Sequence, residues 1–128
     1  MTKEVIFTET APAAIGPYSQ AIKAGDFLFL SGQLAIDPAT GKLIEADIGE
    51  QVHQVFKNIK AIAAAAGADL SRIVKTTVFL ADINDFQAVN SAYAEHFQTD
   101  PPARSAFQVG KLPLNASVEI EVVIYLGK

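Results

Sequence analysis

Asp47-Ile48-Gly49-Glu50-Gln51-Val52-His53-Gln54-Val55-Phe56-Lys57-Asn58-Ile59-Lys60-Ala61-Ile62-Ala63-Ala64-Ala65-Ala66-Gly67 carries apolar side chains at Ile48, Val52, Val55, Phe56, Ile59, Ile62, Ala63 and Ala66. That spacing lines one face of a helix. Asp47 and Glu50 form a capping pair at its start, and Gly67 suits the left-handed residue that stops it. Working outward, residues 72 to 80 hold the β-branched run Ile73-Val74-Lys75-Thr76-Thr77-Val78, which reads as a strand following a crossover helix. Upstream, residues 3 to 8 and Asp26-Phe27-Leu28-Phe29-Leu30 read as strands, and residues 19 to 24 pair with the latter through the Ala24-Gly25-Asp26 turn. Downstream, Asn84 with Gln87 marks a second helix start. Phe86, Val89, Tyr93 and Phe97 mark its buried side, and Asp100-Pro101-Pro102 ends it. Residues 103 to 109 and 118 to 126 are the last two strands, with residues 110 to 117 as a loose hairpin connection between them.

Strands, helix, strand, helix and two strands predict an α+β fold, with one mixed sheet and both helices packed on one face. In the last strand Val118, Ile120, Val122, Ile124 and Leu126 point one way, toward the helix-covered core. Glu119, Glu121, Val123 and Tyr125 point the other way. That second face is too apolar at its far end for water yet carries two carboxylates, as expected where another subunit covers a sheet.

Composition narrows the function. Half of the 128 residues are apolar, enough for one domain, residues 1–128, with a core of its own. No apolar stretch reaches the roughly 18 residues of a membrane span, and the start, Met1-Thr2-Lys3-Glu4-Val5-Ile6, lacks a basic region followed by an apolar run. A soluble, cytoplasmic protein is expected. There is no cysteine, which removes disulfides, thiolate nucleophiles and sulfur-ligated metals. Net charge is -4, the only arginines are Arg72 and Arg104, and no basic cluster occurs, so nucleic acid is an unpromising partner. His53 and His96 fall beside the apolar stripes of the two helices and read as ordinary surface residues, not as ligands or bases.

Several residues have the chemistry for a site. Arg104 opens a strand whose other members are small or apolar, and its planar, paired donors match a carboxylate bidentately. The competing reading is a structural salt bridge to Glu119 or Glu121. Glu119 and Glu121 share the face opposite the core, where either can accept or donate a proton or orient a water, although strand carboxylates are usually inert. Tyr18 follows Gly16-Pro17, a turn that holds its phenol at the surface, unless it simply packs. Ser31-Gly32-Gln33 ends a strand, and a glycine there lets a ligand approach the backbone; a plain strand-ending turn explains it as well. Phe86 and Asn90 lie on or near the buried side of the second helix, where helix packing accounts for them.

Together these segments resemble the RidA family, also called YjgF, over essentially the whole chain. The resemblance runs through Ala13-Ala14-Ile15-Gly16-Pro17-Tyr18-Ser19-Gln20-Ala21, Ser31-Gly32-Gln33, Val74-Lys75-Thr76-Thr77-Val78-Phe79-Leu80 and Asn84-Asp85-Phe86, in the family's order. Pro102-Ala103-Arg104-Ser105, then Leu112, then Val118-Glu119-Ile120 is similar to the pattern that identifies members. The resemblance implies a chorismate mutase-like fold, a homotrimer with helices outside, and sites in the clefts between subunits. It also implies hydrolysis of 2-aminoacrylate, 2-aminocrotonate and related enamine or imine acids to 2-keto acids and ammonia, with no metal or cofactor. Carried over, Arg104 binds the substrate carboxylate, Gly32 helps through its backbone, Tyr18 lines the site and Glu119 positions or activates water, which selects Glu119 over Glu121. Ser31, Phe86, Asn90 and Ala106 complete the expected substrate pocket. Many members have a cysteine where this chain has Ala106, so a thiol is not essential here; any contribution from that position comes from its backbone carbonyl.

If the last two strands pair about residues 113 and 114, Glu119 lies opposite position 108, about four residues from Arg104, or on the order of 13 Å at ~3.3 Å per residue. One small substrate cannot bridge that. Each site is therefore expected to take Arg104 from one subunit and Glu119 from its neighbour, with Tyr18 near the boundary. The rivals are a binding or regulatory module that holds a 2-keto acid without turnover and, less favoured by the acidic balance, an endoribonuclease.

Overall fold

A computed structural model describes residues 2–128, so Met1 of the expected domain lies outside it. The chain runs β1 (Glu4–Ile6), β2 (Ala21–Ala24), β3 (Phe27–Leu30), β4 (Ile36–Asp37), β5 (Lys42–Leu43), α1 (Ile48–Ala65), β6 (Ile73–Leu80), α2 (Phe86–Ala94), β7 (Ala103–Gln108) and β8 (Val118–Tyr125). The helix around which the sequence was read is there. Asp47 caps it by accepting the Glu50 N–H at 2.9 Å, and Gly67 sits at φ +76°, the left-handed conformation that costs a glycine nothing. Its face of Val52, Val55, Phe56, Ile59 and Ile62 is fully buried, at roughly 1.5–3 kcal/mol for each large side chain. The second helix begins after a 3-10 turn capped by Asp82 and ends at Ala94, earlier than Pro101-Pro102 suggests. Among the described residues no helix is long and apolar enough to cross a membrane.

Six strands form one sheet in the order β1-β2-β3-β8-β6-β7, and β4 with β5 makes a separate small hairpin that the sequence reading did not contain. Among the described residues only β6 and β7 pair in parallel, so the sheet is mixed. Both helices cover the face of Val118, Ile120, Val122 and Ile124, and with them form the main core. Asn58, buried in α1, donates to the carbonyls of Leu34 and Ile36 and ties that segment to the helix.

The expected hairpin between the last two strands is wrong. β6 lies between them, parallel to β7 on one side and antiparallel to β8 on the other. The cause is the β6-α2-β7 crossover: a helix between two strands returns the chain in the same direction, which makes β7 a parallel neighbour of β6. β8 then fills the slot on the far side of β6, against β3.

The face without helices is aromatic. Phe27 and Phe29 of β3 are 39% and 47% exposed, Phe107 of β7 is 45% exposed, and Tyr125 and Phe79 lie between them across β8 and β6. Phe27 meets Tyr125 with ring centroids 5.5 Å apart, and Phe79 meets Phe107 at 5.4 Å.

Candidate active site

At one end of the open face, where β3 stops and β8 starts, a cavity of about 540 Å³ brings together Tyr18, Ser31, Gly32 and Glu119. Its walls are built by local bonding. Gln20, 3% exposed, accepts the Thr8 N–H through Oε1 and donates through Nε2 to the carbonyls of Thr8 and Pro12, fixing the segment that supplies Pro12 and Ala13. The Ser31 hydroxyl donates to the Ser19 carbonyl at 2.6 Å, and the amides of Ser31 and Gln33 donate to Gln20 and Ile120. Tyr18 stays at the surface in a tight turn, its N–H donated to the Gly16 carbonyl at 2.8 Å. Glu119 packs on Gly32: a Cβ at that glycine would lie 2.7 Å from Glu119 Oε2. Burial, and then the charge of Glu121 two residues on, pushes the Glu119 carboxyl above the ordinary glutamate range. Leu114, which lines the cavity, adopts φ +56°, a left-handed conformation unusual for a leucine, and Asn115 after it adopts +57°.

Arg104 lies elsewhere. It is opposite Thr76 in the parallel β6-β7 ladder, whereas Glu119 is opposite Phe79. The two are thus offset by three residues along β6, roughly 10 Å, and an odd offset puts them on opposite faces of the sheet. Arg104 points to the helix side, where its Nη1 donates to Asn90 Oδ1 at 2.7 Å and its Cζ lies 5.4 Å from the Phe86 ring and 4.7 Å from the Tyr93 ring. Among the described residues it has no carboxylate partner, so the salt bridge to Glu119 or Glu121 is not made. Ala106, opposite Val78 on the same face, packs against the core.

The residues singled out in the sequence therefore fall into two groups. Tyr18, Ser31, Gly32 and Glu119 share the cavity; Arg104, Phe86 and Asn90 form a cationic cluster beside α2, with Ala106 next on the strand. Phe86 and Asn90 do more than pack a helix, since both touch the guanidinium. Tyr93 belongs with them and was read only as a core residue, although the 4- and 3-residue steps from Phe86 to Asn90 to Tyr93 place all three along one helical face. Gln20, the support of the cavity wall, carried no signal of its own. The histidines are corrected too. They are not independent surface groups: His53 Nδ1 and His96 Nε2 share a hydrogen bond of 2.8 Å, and His96 stacks on Phe56 at 4.4 Å, because the packing of α1 against α2 brings their edges together.

Comparison with known proteins matches the chain to a family. Residues 8–126 match the family described as Endoribonuclease L-PSP. The chain is 54% identical to Reactive Intermediate Deaminase A, chloroplastic, of Arabidopsis thaliana, across 97% of this chain and 66% of that one. It is 46% identical to human 2-iminobutanoate/2-iminopropanoate deaminase, across 99% and 93% of the two chains. Among solved structures it resembles E. coli TdcF with bound serine, at a TM-score of 0.90 and 39% identity over 97% of this chain and 99% of that one. Matched over nearly its whole length, and sharing its fold with such solved structures, the chain belongs to the endoribonuclease L-PSP family, the RidA family that its sequence resembles.

Proposed function

We propose that this protein hydrolyses enamine and imine acids, 2-aminoacrylate and 2-aminocrotonate with their imine tautomers, to 2-keto acids and ammonia, in a homotrimer whose sites lie between subunits. One observation carries the reading: an arginine with no carboxylate partner among the described residues and a half-buried glutamate in a cavity face away from each other within one chain. Each is half of a site. A second copy on the aromatic open face supplies the missing half and removes Phe27, Phe29 and Phe107 from water. Two relatives are named as deaminases of such intermediates, and E. coli TdcF binds serine, a small acid with the same carboxylate.

The chemistry is modest. Arg104, backed by Phe86 and Asn90, grips the substrate carboxylate through charge-assisted bonds. The enamine carbon takes a proton from solvent to give the protonated imine, C=NH2+. Glu119 of the adjoining subunit, as carboxylate, accepts a proton from water as the water oxygen bonds to the C=N carbon. Protonated Glu119 then hands that proton to the nitrogen; as the carbinolamine collapses, its hydroxyl proton passes back to Glu119, the C–N bond breaks to leave the 2-keto acid, and the departing ammonia takes up that proton as ammonium. Tyr18 and Ser31 line the pocket, Gly32 offers backbone at close range, and Ala106, on an edge strand, offers its carbonyl.

The test generates 2-aminoacrylate or 2-iminobutanoate with a dehydratase and follows keto-acid release. Addition of the protein accelerates release, and Arg104→Ala lowers kcat/KM by about 10- to 150-fold, the range for losing a hydrogen bond to a charged group. Saturable keto-acid binding without acceleration would favour a non-catalytic binding module instead. The family's description raises RNA cleavage as a second activity; with net charge -4 and two carboxylates on the open face, RNA incubated with the protein is expected to stay intact.

A further inference from the structure

An arginine side chain has four rotatable bonds, and a guanidinium meant to present a fixed fork to a carboxylate has to be held by something. One hydrogen bond to Asn90 Oδ1 fixes a single nitrogen and leaves rotation about it free. The Arg104 Cζ lies over the Tyr93 ring, 4.7 Å from its centroid. Tyr93 is itself anchored. It is 5% exposed, and its phenol shares a 2.7 Å hydrogen bond with Thr76 Oγ1, a side chain with no exposure at all. Thr76 is the residue directly opposite Arg104 in the β6-β7 ladder. The contacts thus close a ring: from Arg104 across the ladder to Thr76, through the hydroxyl pair to Tyr93, and from the Tyr93 ring back to the guanidinium.

We propose that Tyr93, anchored by Thr76, is a positioning residue that sets the plane of the Arg104 guanidinium, so that its Nε–Nη2 edge faces the substrate carboxylate. Among the described residues no protein acceptor occupies that edge, Asn90 being bonded to Nη1. The proposal rests on the reading of Arg104 as the carboxylate-binding group and adds what fixes its orientation. Phe86, 5.4 Å from Cζ, bounds the guanidinium as well but has no polar anchor of its own. A phenol bonded to a residue of the same ladder ties the ring to the strand that carries the arginine, so helix movement alone does not tilt it.

Three variants test this, each read by KM, kcat and the Arg104 Nε–H resonance in the ¹⁵N spectrum. Tyr93→Leu removes the ring and is expected to lower kcat/KM by about 5- to 30-fold and to shift and broaden the Nε–H signal. Tyr93→Phe keeps the ring and recovers most of the loss, within about 2- to 5-fold of the parent. Thr76→Val removes only the anchor and behaves like Tyr93→Phe, which a role confined to core stability does not predict. Unchanged kinetics and an unchanged Nε–H signal in folded Tyr93→Leu overturn the proposal. Should that variant fail to fold, an unchanged signal and KM in both Tyr93→Phe and Thr76→Val overturn it equally. If Arg104→Ala is fully active, the carboxylate reading falls instead, while the Nε–H signal still reports whether Tyr93 holds the guanidinium.

Discussion

Gly32 and Glu119 are in such close contact that adding one methyl group forces a choice. In Gly32→Ala the new Cβ would stand 2.7 Å from Oε2, well inside contact distance, and the carboxylate, being the movable partner, is displaced from its place in the cavity. Activity is expected to fall by about 10- to 100-fold while the melting temperature stays within a few degrees, a pairing that separates displaced chemistry from lost packing. The charge on Glu119 follows a similar argument. Its pKa is raised, first by burial and then by Glu121, so the base form is lost as pH falls through a value above the ordinary 4.5. Glu121→Gln removes the second cause. The acidic limb of the kcat/KM profile is then expected to move to lower pH, and a limb that does not move would show that another group controls it. By spacing Glu119 and Glu121 had equal standing, since both sit on one strand face, and only the family resemblance selected Glu119. In the structure it is the Glu119 side chain that lines the cavity and packs on Gly32, and a contact between residues so far apart in sequence has no local signature.

At the scale of elements, the periodic ones were legible and their partners were not. The α1 stripe, the Asp47 cap and the alternation in β8 follow from side-chain spacing, which any chain displays before it folds. Pairing is a different matter. Two strands joined by eight residues invite a hairpin, yet the 110–117 connection carries β8 past β7 to the far side of β6. The strand-helix-strand order of residues 73–108 held the correction, for such a unit makes parallel neighbours and leaves the other edge of β6 open. The contact of α1 with α2 was equally hidden, and it creates the histidine pair. His96 is held below its ordinary 6.5, chiefly by burial and then by His53, with Glu95 opposing. A depressed folded value means that the unfolded chain binds the proton more readily, so stability is full above about 6.5 and declines as pH falls through the folded value. Thermal melts at pH 7.5 and pH 5 should show this decline. His96→Phe keeps a ring on Phe56, removes the titrating group and is expected to flatten the dependence; an equal decline in the variant would assign it to other groups.

For the whole molecule, the decisive feature is that the sheet stands between Arg104 and Glu119. The earlier estimate of their separation assumed a β7-β8 ladder that does not exist, but the true register reaches the same end by a stronger route: an odd offset along β6 puts them on opposite faces, whatever the distance. No side-chain motion within one chain joins them. The open face of β8, apolar at its far end, was visible as a surface wanting a cover, whereas which residues a neighbouring copy would contribute depends on a subunit arrangement that one chain's pattern does not encode. Complementation answers that directly. In Arg104→Ala every subunit keeps Glu119, and in Glu119→Ala every subunit keeps Arg104, so each protein alone has no complete site. After equal mixing with free subunit exchange, a site regains both groups when an arginine-bearing subunit adjoins a glutamate-bearing one in the required order. With half of the subunits of each kind, that happens at about one quarter of the sites. Keto-acid release from the exchanged mixture is therefore expected at about a quarter of the parent rate, against no more than the residual rate of the separate variants if both groups must come from the same chain. A mixture that has demonstrably exchanged and stays inactive would remove the shared site and, with it, the case for assembly as the source of activity.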